Sequence, residues 1–303
     1  MFVFNSLGRK GNLGNQLFQI SSTIGLAIKH NREFSFPEWP YSEYFEYKLP
    51  KQDKNKKLIQ IVENSYQYHD WEIGNQDYDI NGALQSEKYF DVETTKKIFK
   101  FNDDFLKPLL DKYKYLYINK PIFISVRRGD FVNHPNYYQL SNSYYFLALT
   151  NNFPDWKDRN LIFMSDNINY CKSHFKFLKN AIFVENLSAI EQLALGSQGE
   201  DFIISNSTFS WWLAWLGEKE NSKIIRPLKN FRGKYARLNN DKDFFPERWL
   251  LFDYRKNNKE LKNFKLFIQD LYAQLIDFLF LTTNKTIHLI KKIIVKIKKT
   301  IFT

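Results

Sequence analysis

The sequence predicts an α/β fold built on parallel sheets. Two observations carry this reading. Short apolar runs alternate with helical stretches along most of the chain. Polar segments rich in glycine, arginine or small hydroxyl residues follow those runs directly, where ligands bind beyond the carboxyl ends of strands in open parallel sheets.

The elements follow in order. Residues 1–7 read as a short buried strand, and 8–14 as a turn holding Gly8, Gly11 and Gly14. Residues 15–30 place Leu17, Ile20, Ile24, Leu26, Ala27 and Ile28 near helical period. Residues 31–80, aromatic and proline-bearing, read as irregular, and 86–112 as helical. Strands are expected at 121–126, 161–164, 181–184, 201–205 and 223–226. Helices are expected at 142–152, at 188–198 and from Trp211 to Gly217. No internal repeat and no low-complexity linker interrupts the series.

With 303 residues, the chain can form one large or two medium domains with a proper core. Apolar residues make up 44% and aromatics 18%, a globular composition. Cys171 is the single cysteine, so no intrachain disulfide forms and a reducing compartment fits. The first apolar run, MFVF, is too short for a secretory core or a membrane span. The expectation is a chain that starts in its fold and stays cytoplasmic. Net charge is +11, but residues 255–303 hold 11 Lys/Arg against 3 Asp/Glu. The body is therefore nearly neutral, which argues against a nucleic-acid-binding protein.

Three stretches carry chemistry. In Ser125–Phe131, SVRRGDF, adjacent arginines follow a buried strand, so at most one faces a given cleft. An arginine fork matches a phosphate in bidentate fashion. In Ser205–Leu216, SNSTFSWWLAWL, hydroxyls and an asparagine precede a Trp-rich helix, and helix N-termini bind phosphate. Trp212 and Trp215 read as core. In the opening stretch, glycines let a ligand approach the first helix. That spacing is G-x-x-G-x-x-G, neither the dinucleotide fingerprint nor a P-loop. The five histidines lack ligand spacing and no D-x-D stands out as a metal motif, Asp103-Asp104 and Asp241/Asp243 reading as solvated loop acids, so arginines and amides, not a metal, are expected to meet any diphosphate charge.

Taken together, GNLGNQLFQIS, VRRGDF and SNSTFSWWLAWL resemble the inverting α-1,2-fucosyltransferases of glycosyltransferase family 11. FMSDN at 163–167 and PERW at 246–249 are secondary matches, and the resemblance covers about residues 1–250. It implies a GT-B-like fold of two Rossmann-type lobes facing across a cleft: 1–118 mainly for the acceptor, 119–254 for GDP-fucose. It also implies metal-independent transfer of L-fucose from GDP-fucose to the 2-hydroxyl of a terminal β-galactoside on an oligosaccharide or glycolipid.

Residue by residue, Arg127 and Arg128 match the family's arginine pair, with Arg127 favoured for the β-phosphate. Asp130 orders that loop or serves as the first candidate for a base. Gly14, Asn15 and Gln16 match the element near the sugar diphosphate. Asn206, Ser207, Thr208, Phe209 and Ser210 match the diphosphate-binding motif, Asp166 an acidic position near the nucleoside, and Glu191 a candidate for guanine recognition. Three positions depart from the pattern: Ser125 where relatives usually carry His, Phe131 where Tyr is commoner, and Asn167 where a second Asp is frequent. Two alternatives stay open, another GDP-sugar-dependent transferase of the same fold and a non-catalytic glycan-binding protein.

The last segment, 255–303, ends in IHLIKKIIVKIKKTI. Ile287, Ile290, Ile294, Ile297 and Ile301 fall at 3-4-3-4 spacing, with lysines mostly off that stripe. This is the pattern of a basic amphipathic helix, suited to an anionic membrane surface.

Overall fold

The computed structural model describes residues 1–53, 57–254 and 256. The tail expected as an amphipathic helix, 255–303, lies outside them apart from Lys256.

The chain begins with β1 (Phe2–Val3), α1 (Leu13–Lys29), β2 (Phe34–Ser35), β3 (Ile59–Val62) and β4 (Tyr78–Asn81). Two helices follow, α2 (Val92–Ile98) and α3 (Asp103–Tyr113). Then come β5 (Ile122–Val126), α4 (Asn142–Asn152), β6 (Leu161–Ser165), α5 (Ile168–Phe175), β7 (Ala181–Phe183) and α6 (Ala189–Gly196). The last elements are β8 (Asp201–Ile204), α7 (Thr208–Gly217), β9 (Ile224–Pro227), α8 (Gly233–Leu238) and β10 (Leu250–Phe252).

Two all-parallel sheets result. One has the order β2-β1-β4-β3, the other β10-β9-β8-β5-β6-β7. Parallel strands need helical crossovers on the sheet faces, and a strand covered on both faces can be apolar throughout. Central β5, IFISV, is buried at every position, and Ile124 lies in register with Phe163 and Ile203. The expected α/β class with parallel sheets is the one observed, as two facing lobes of GT-B type.

The reading of 31–80 as irregular is corrected: it supplies three strands of the first sheet. β2 is two residues long, and β3, at the sheet edge, exposes Ile59 and Val62. Neither produces an apolar run in sequence. β10 escapes for the same reason, with Leu250 and Leu251 exposed at the other sheet's edge.

One hydrophobic cluster crosses between the lobes. α1 is buried from Leu13 to Ala27 apart from Asn15. A helix enclosed this way must satisfy its polar side chains internally. Ser21 Oγ donates to the Leu17 carbonyl at 2.6 Å and Ser22 Oγ to that of Leu84 at 2.9 Å. From the second lobe, α7 packs on α1, with the Phe18 ring 4.5 Å from Trp211 and 5.0 Å from Trp212. Trp211, Trp212 and Trp215 are fully buried, as a core role for the Trp-rich helix requires. The contact couples the first helix of one lobe to the hydroxyl-rich turn of the other. Cys171 is buried too, which pushes its thiol up to about 12 and makes it a poor nucleophile.

Candidate active site

The arginine pair follows directly from the end of β5. The backbone turns at Arg128, and the two side chains part. Arg128 stacks over Tyr170 of α5, its guanidinium carbon 4.1 Å from the ring centroid, and does not line the interlobe cavity. Arg127 does line it. Its guanidinium pairs with Asp130 and, at 3.0 Å, with Asp166 Oδ2, while its buried Nε has no hydrogen-bond partner among the described residues. Asp166 directly follows β6 and clamps the turn, since its Oδ1 accepts from the Arg128 amide at 2.8 Å. Its visible role is thus to hold the arginine loop.

α7 begins at Thr208, three residues before the expected Trp211, so Thr208, Phe209 and Ser210 form its first turn. Ser207 is the N-cap, its Oγ accepting from the Ser210 amide at 3.1 Å. Ser210 Oγ also lies 2.7 Å from Ser125 Oγ, 2.7 Å from Ser205 Oγ and 3.0 Å from Ser207 Oγ. Ser125, at the position where a His was expected, is therefore one of four buried hydroxyls that lock β5 and β8 to the turn. The amides of Thr208 and Phe209 make no hydrogen bond among the described residues, leaving donors at the positive end of a helix dipole. Asn206 is a brace, its Nδ2 donating to the carbonyls of Tyr138 at 3.1 Å and Asn230 at 2.8 Å.

The glycine stretch has fold roles beside its place on the cavity lining. Gly8 and Gly11 have φ of +77° and +79°, which a turn this tight requires. Gly14 instead admits the other lobe: a Cβ there would lie 2.5 Å from both Phe209 N and Thr208 C. Gln16 is also committed to the fold. Its Nε2 donates to the Gly11 carbonyl at 2.9 Å and its Oε1 accepts from Trp39 Nε1 at 2.8 Å. Asn15 belongs to a relay in which Gln85 Nε2 donates to Asn15 Oδ1 at 3.0 Å. Tyr66 OH donates to Gln85 Oε1 at 2.7 Å and accepts from Asn230 Nδ2 at 3.0 Å. The relay ties the first lobe to the segment after β9.

These residues surround a cavity of about 620 Å³ between the carboxyl ends of the two sheets. Gly14, Asn15, Gln16, Arg127, Asp130, Asp166 and Asn206–Ser210 line it. Strand order reverses between β5 and β8, so Arg127 and the α7 N-terminus flank the topological switch point, where α/β sheets bind ligands.

Glu191 does not line the cavity. Its carboxylate accepts from both the Ser188 amide, at 2.7 Å, and the Ser188 hydroxyl, at 2.6 Å. Ser188-x-x-Glu191 is a capping box at the start of α6, a sequence signature that accounts for this glutamate without a ligand. Sequence reasoning missed Tyr66, Gln85, Tyr137, Asn230, Phe231 and Tyr235, all lining the cavity. Of the aromatic stretch 34–47, only Tyr41 reaches it.

The profile of Glycosyl transferase family 11 matches residues 4–251. The chain belongs to that family. It is 25% identical over 286 residues to an Escherichia coli alpha-1,2-colitosyltransferase, covering 79% of this chain and 96% of that protein. It is 28% identical over 148 residues to the E. coli O-antigen biosynthesis glycosyltransferase WbnK, where the match spans 45% of this chain and only about half, 49%, of WbnK. In fold it is similar to POFUT1 solved in complex with GDP-fucose, with a TM-score of 0.51 at 12% identity over 74% of this chain and 96% of that one.

Proposed function

We propose that this chain transfers L-fucose from GDP-fucose to the 2-hydroxyl of a terminal β-galactoside, with inversion and without a metal. The observation that carries the reading is the pairing, across one switch point, of the Arg127 guanidinium with the unpartnered amides of Thr208 and Phe209. Such an arrangement suits a diphosphate leaving group. Preorganised donors of this kind contribute about 3–4 kcal/mol each to transition-state stabilisation. Asp130, 65% exposed, holds Arg127 through a pair that solvent screens. A diphosphate displaces it at little cost, and the freed carboxylate is the first candidate to accept the acceptor hydroxyl's proton.

The colitosyltransferase relative favours a second reading, the same chemistry with a different deoxyhexosyl donor. One experiment addresses both. The protein is incubated in EDTA with GDP-fucose or other GDP-sugars and a panel of β-galactosides, and the product linkage is read by NMR. An α-1,2-linked fucoside is the expected product; transfer only from another GDP-sugar, or only to another hydroxyl, overturns the first reading. The tail completes the proposal: its basic amphipathic pattern suits an anionic membrane surface, bringing the cleft to glycolipid acceptors.

A further inference from the structure

Rings line the interlobe cavity unevenly. Strand order places β6 and β9 three strands apart, about 14 Å at ordinary strand spacing, with the Arg127–α7 switch point between them. On the β6–β7 flank the lining residues are Met164, Ser165, Asp166, Ala189 and Gln192, none of them aromatic. On the β9 flank they include Tyr137, Phe231 and Tyr235, with Tyr66 reaching in from the first lobe. Tyr66 packs on Phe231 at 4.8 Å between centroids, Tyr137 on Tyr235 at 5.8 Å and Phe231 on Tyr235 at 5.7 Å. The Phe131 ring stacks on Tyr137 at 4.1 Å and sits 5.5 Å from the Arg127 guanidinium carbon. The wall thus begins one ring away from the group assigned to the diphosphate.

We propose that this wall is the acceptor subsite: the terminal hexopyranose of the acceptor glycan stacks on Tyr137, Phe231 and Tyr235, while the nucleoside lies on the β6–β7 flank. The inference rests on the glycosyl-transfer reading. Inverting transfer is in line, so acceptor and leaving diphosphate occupy opposite sides of the transferred sugar. A pyranose has apolar C–H faces that suit aromatic rings and hydroxyls that need amide partners. The Tyr66 relay supplies the second requirement by fixing Gln85 and Asn15, both on the cavity lining, against the wall. A purine needs hydrogen-bonding groups for its edge, and Ser165 and Gln192 on the other flank offer them. The acceptor subsite is therefore built largely by the second lobe, not by the first as the resemblance implied.

The test uses the full chain with Tyr235→Ala and Tyr235→Phe, chosen because Tyr235 is half-buried on the short α8 and is not in contact with Arg127. Lactose KM in fucosyl transfer and GDP affinity by calorimetry are the readouts, with thermal melting as a check on folding. Loss of a stacking ring raises lactose KM about tenfold. Tyr235→Phe stays near wild type, and GDP affinity changes less than twofold throughout. An unchanged lactose KM overturns the proposal, and so does weakened GDP binding with lactose KM retained, which would put the base on the wall. If the wild type transfers nothing to galactosides, the activity reading fails separately. Saturation-transfer NMR with methyl hexopyranosides then decides: signals lost in Tyr235→Ala support the wall, and signals absent or unaltered overturn it.

Discussion

Gly14→Ala tests the coupling of the two lobes at the site. The added Cβ would lie 2.5 Å from Phe209 N and Thr208 C and 2.8 Å from Thr208 O, whereas nine in ten real Cβ contacts exceed 3.4 Å. The opposing atoms are backbone, so no side chain can swing aside. Helices α1 and α7 must separate by about 0.9 Å, the difference between those two distances. They are held together by the Phe18–Trp211–Trp212 cluster, and forcing apart a well-packed core costs about 1–3 kcal/mol. The displaced atoms belong to the turn whose amides the proposed reaction uses to hold the leaving group, and a shift of about 1 Å at a reacting centre can reduce turnover about 100-fold. Gly8→Ala is the control. It also places alanine where a glycine turns, at φ +77°, but its Cβ meets nothing within 4 Å. It should cost about 1 kcal/mol of stability and leave transfer intact. The assay is GDP release with GDP-fucose and lactose, beside a urea melt for each variant. A folded Gly14→Ala protein with kcat within threefold of wild type would refute the reasoning.

Three further outcomes are expected. Ser207→Ala removes the N-cap of α7 and a hydroxyl from the serine cluster, so urea denaturation should show about 1–2 kcal/mol lost, and an unchanged midpoint contradicts the capping role. Glu63, pushed up to about 7 chiefly by burial and opposed by the Ala83 and Leu84 amides, favours the folded state when protonated. Its contribution is full below its unfolded value near 4.5 and lost as pH rises through 7. The stability of wild type relative to Glu63→Gln should therefore fall by up to about 3 kcal/mol between pH 5 and pH 8 in thermal melts, and a rise would overturn the sign. Truncation after residue 254 should abolish sedimentation with anionic liposomes while sparing turnover on lactose; undiminished sedimentation excludes the tail as the membrane contact.

The second lobe was largely legible in sequence because its central strands are buried on both faces and read as short, mainly apolar runs, IFISV and LIFM among them. The first lobe was not, since Phe34–Ser35 and Ile59–Val62 are short or edge-exposed and gain their identity only from pairing with β1 and β4. At the site, Arg127 and the Ser207–Ser210 turn stood out because each follows directly from a strand end. Tyr137 and Tyr235 did not, because their neighbourhood is made by segments about a hundred residues apart in the chain. For Glu191 the pattern Ser188-x-x-Glu191 already offers a local structural role beside the one implied by resemblance, and Gly14 answers a backbone of the other lobe that no local reading can see.

The account rests most directly on Arg127 and the sugar nucleotide. Titration calorimetry with GDP-fucose in EDTA, on wild type and Arg127→Ala, measures both at once. The expected result is metal-free binding by the wild type, weakened at least about tenfold by loss of the charge-assisted contact. Equal affinity in the two proteins, or no GDP-fucose binding by the wild type, would contradict it.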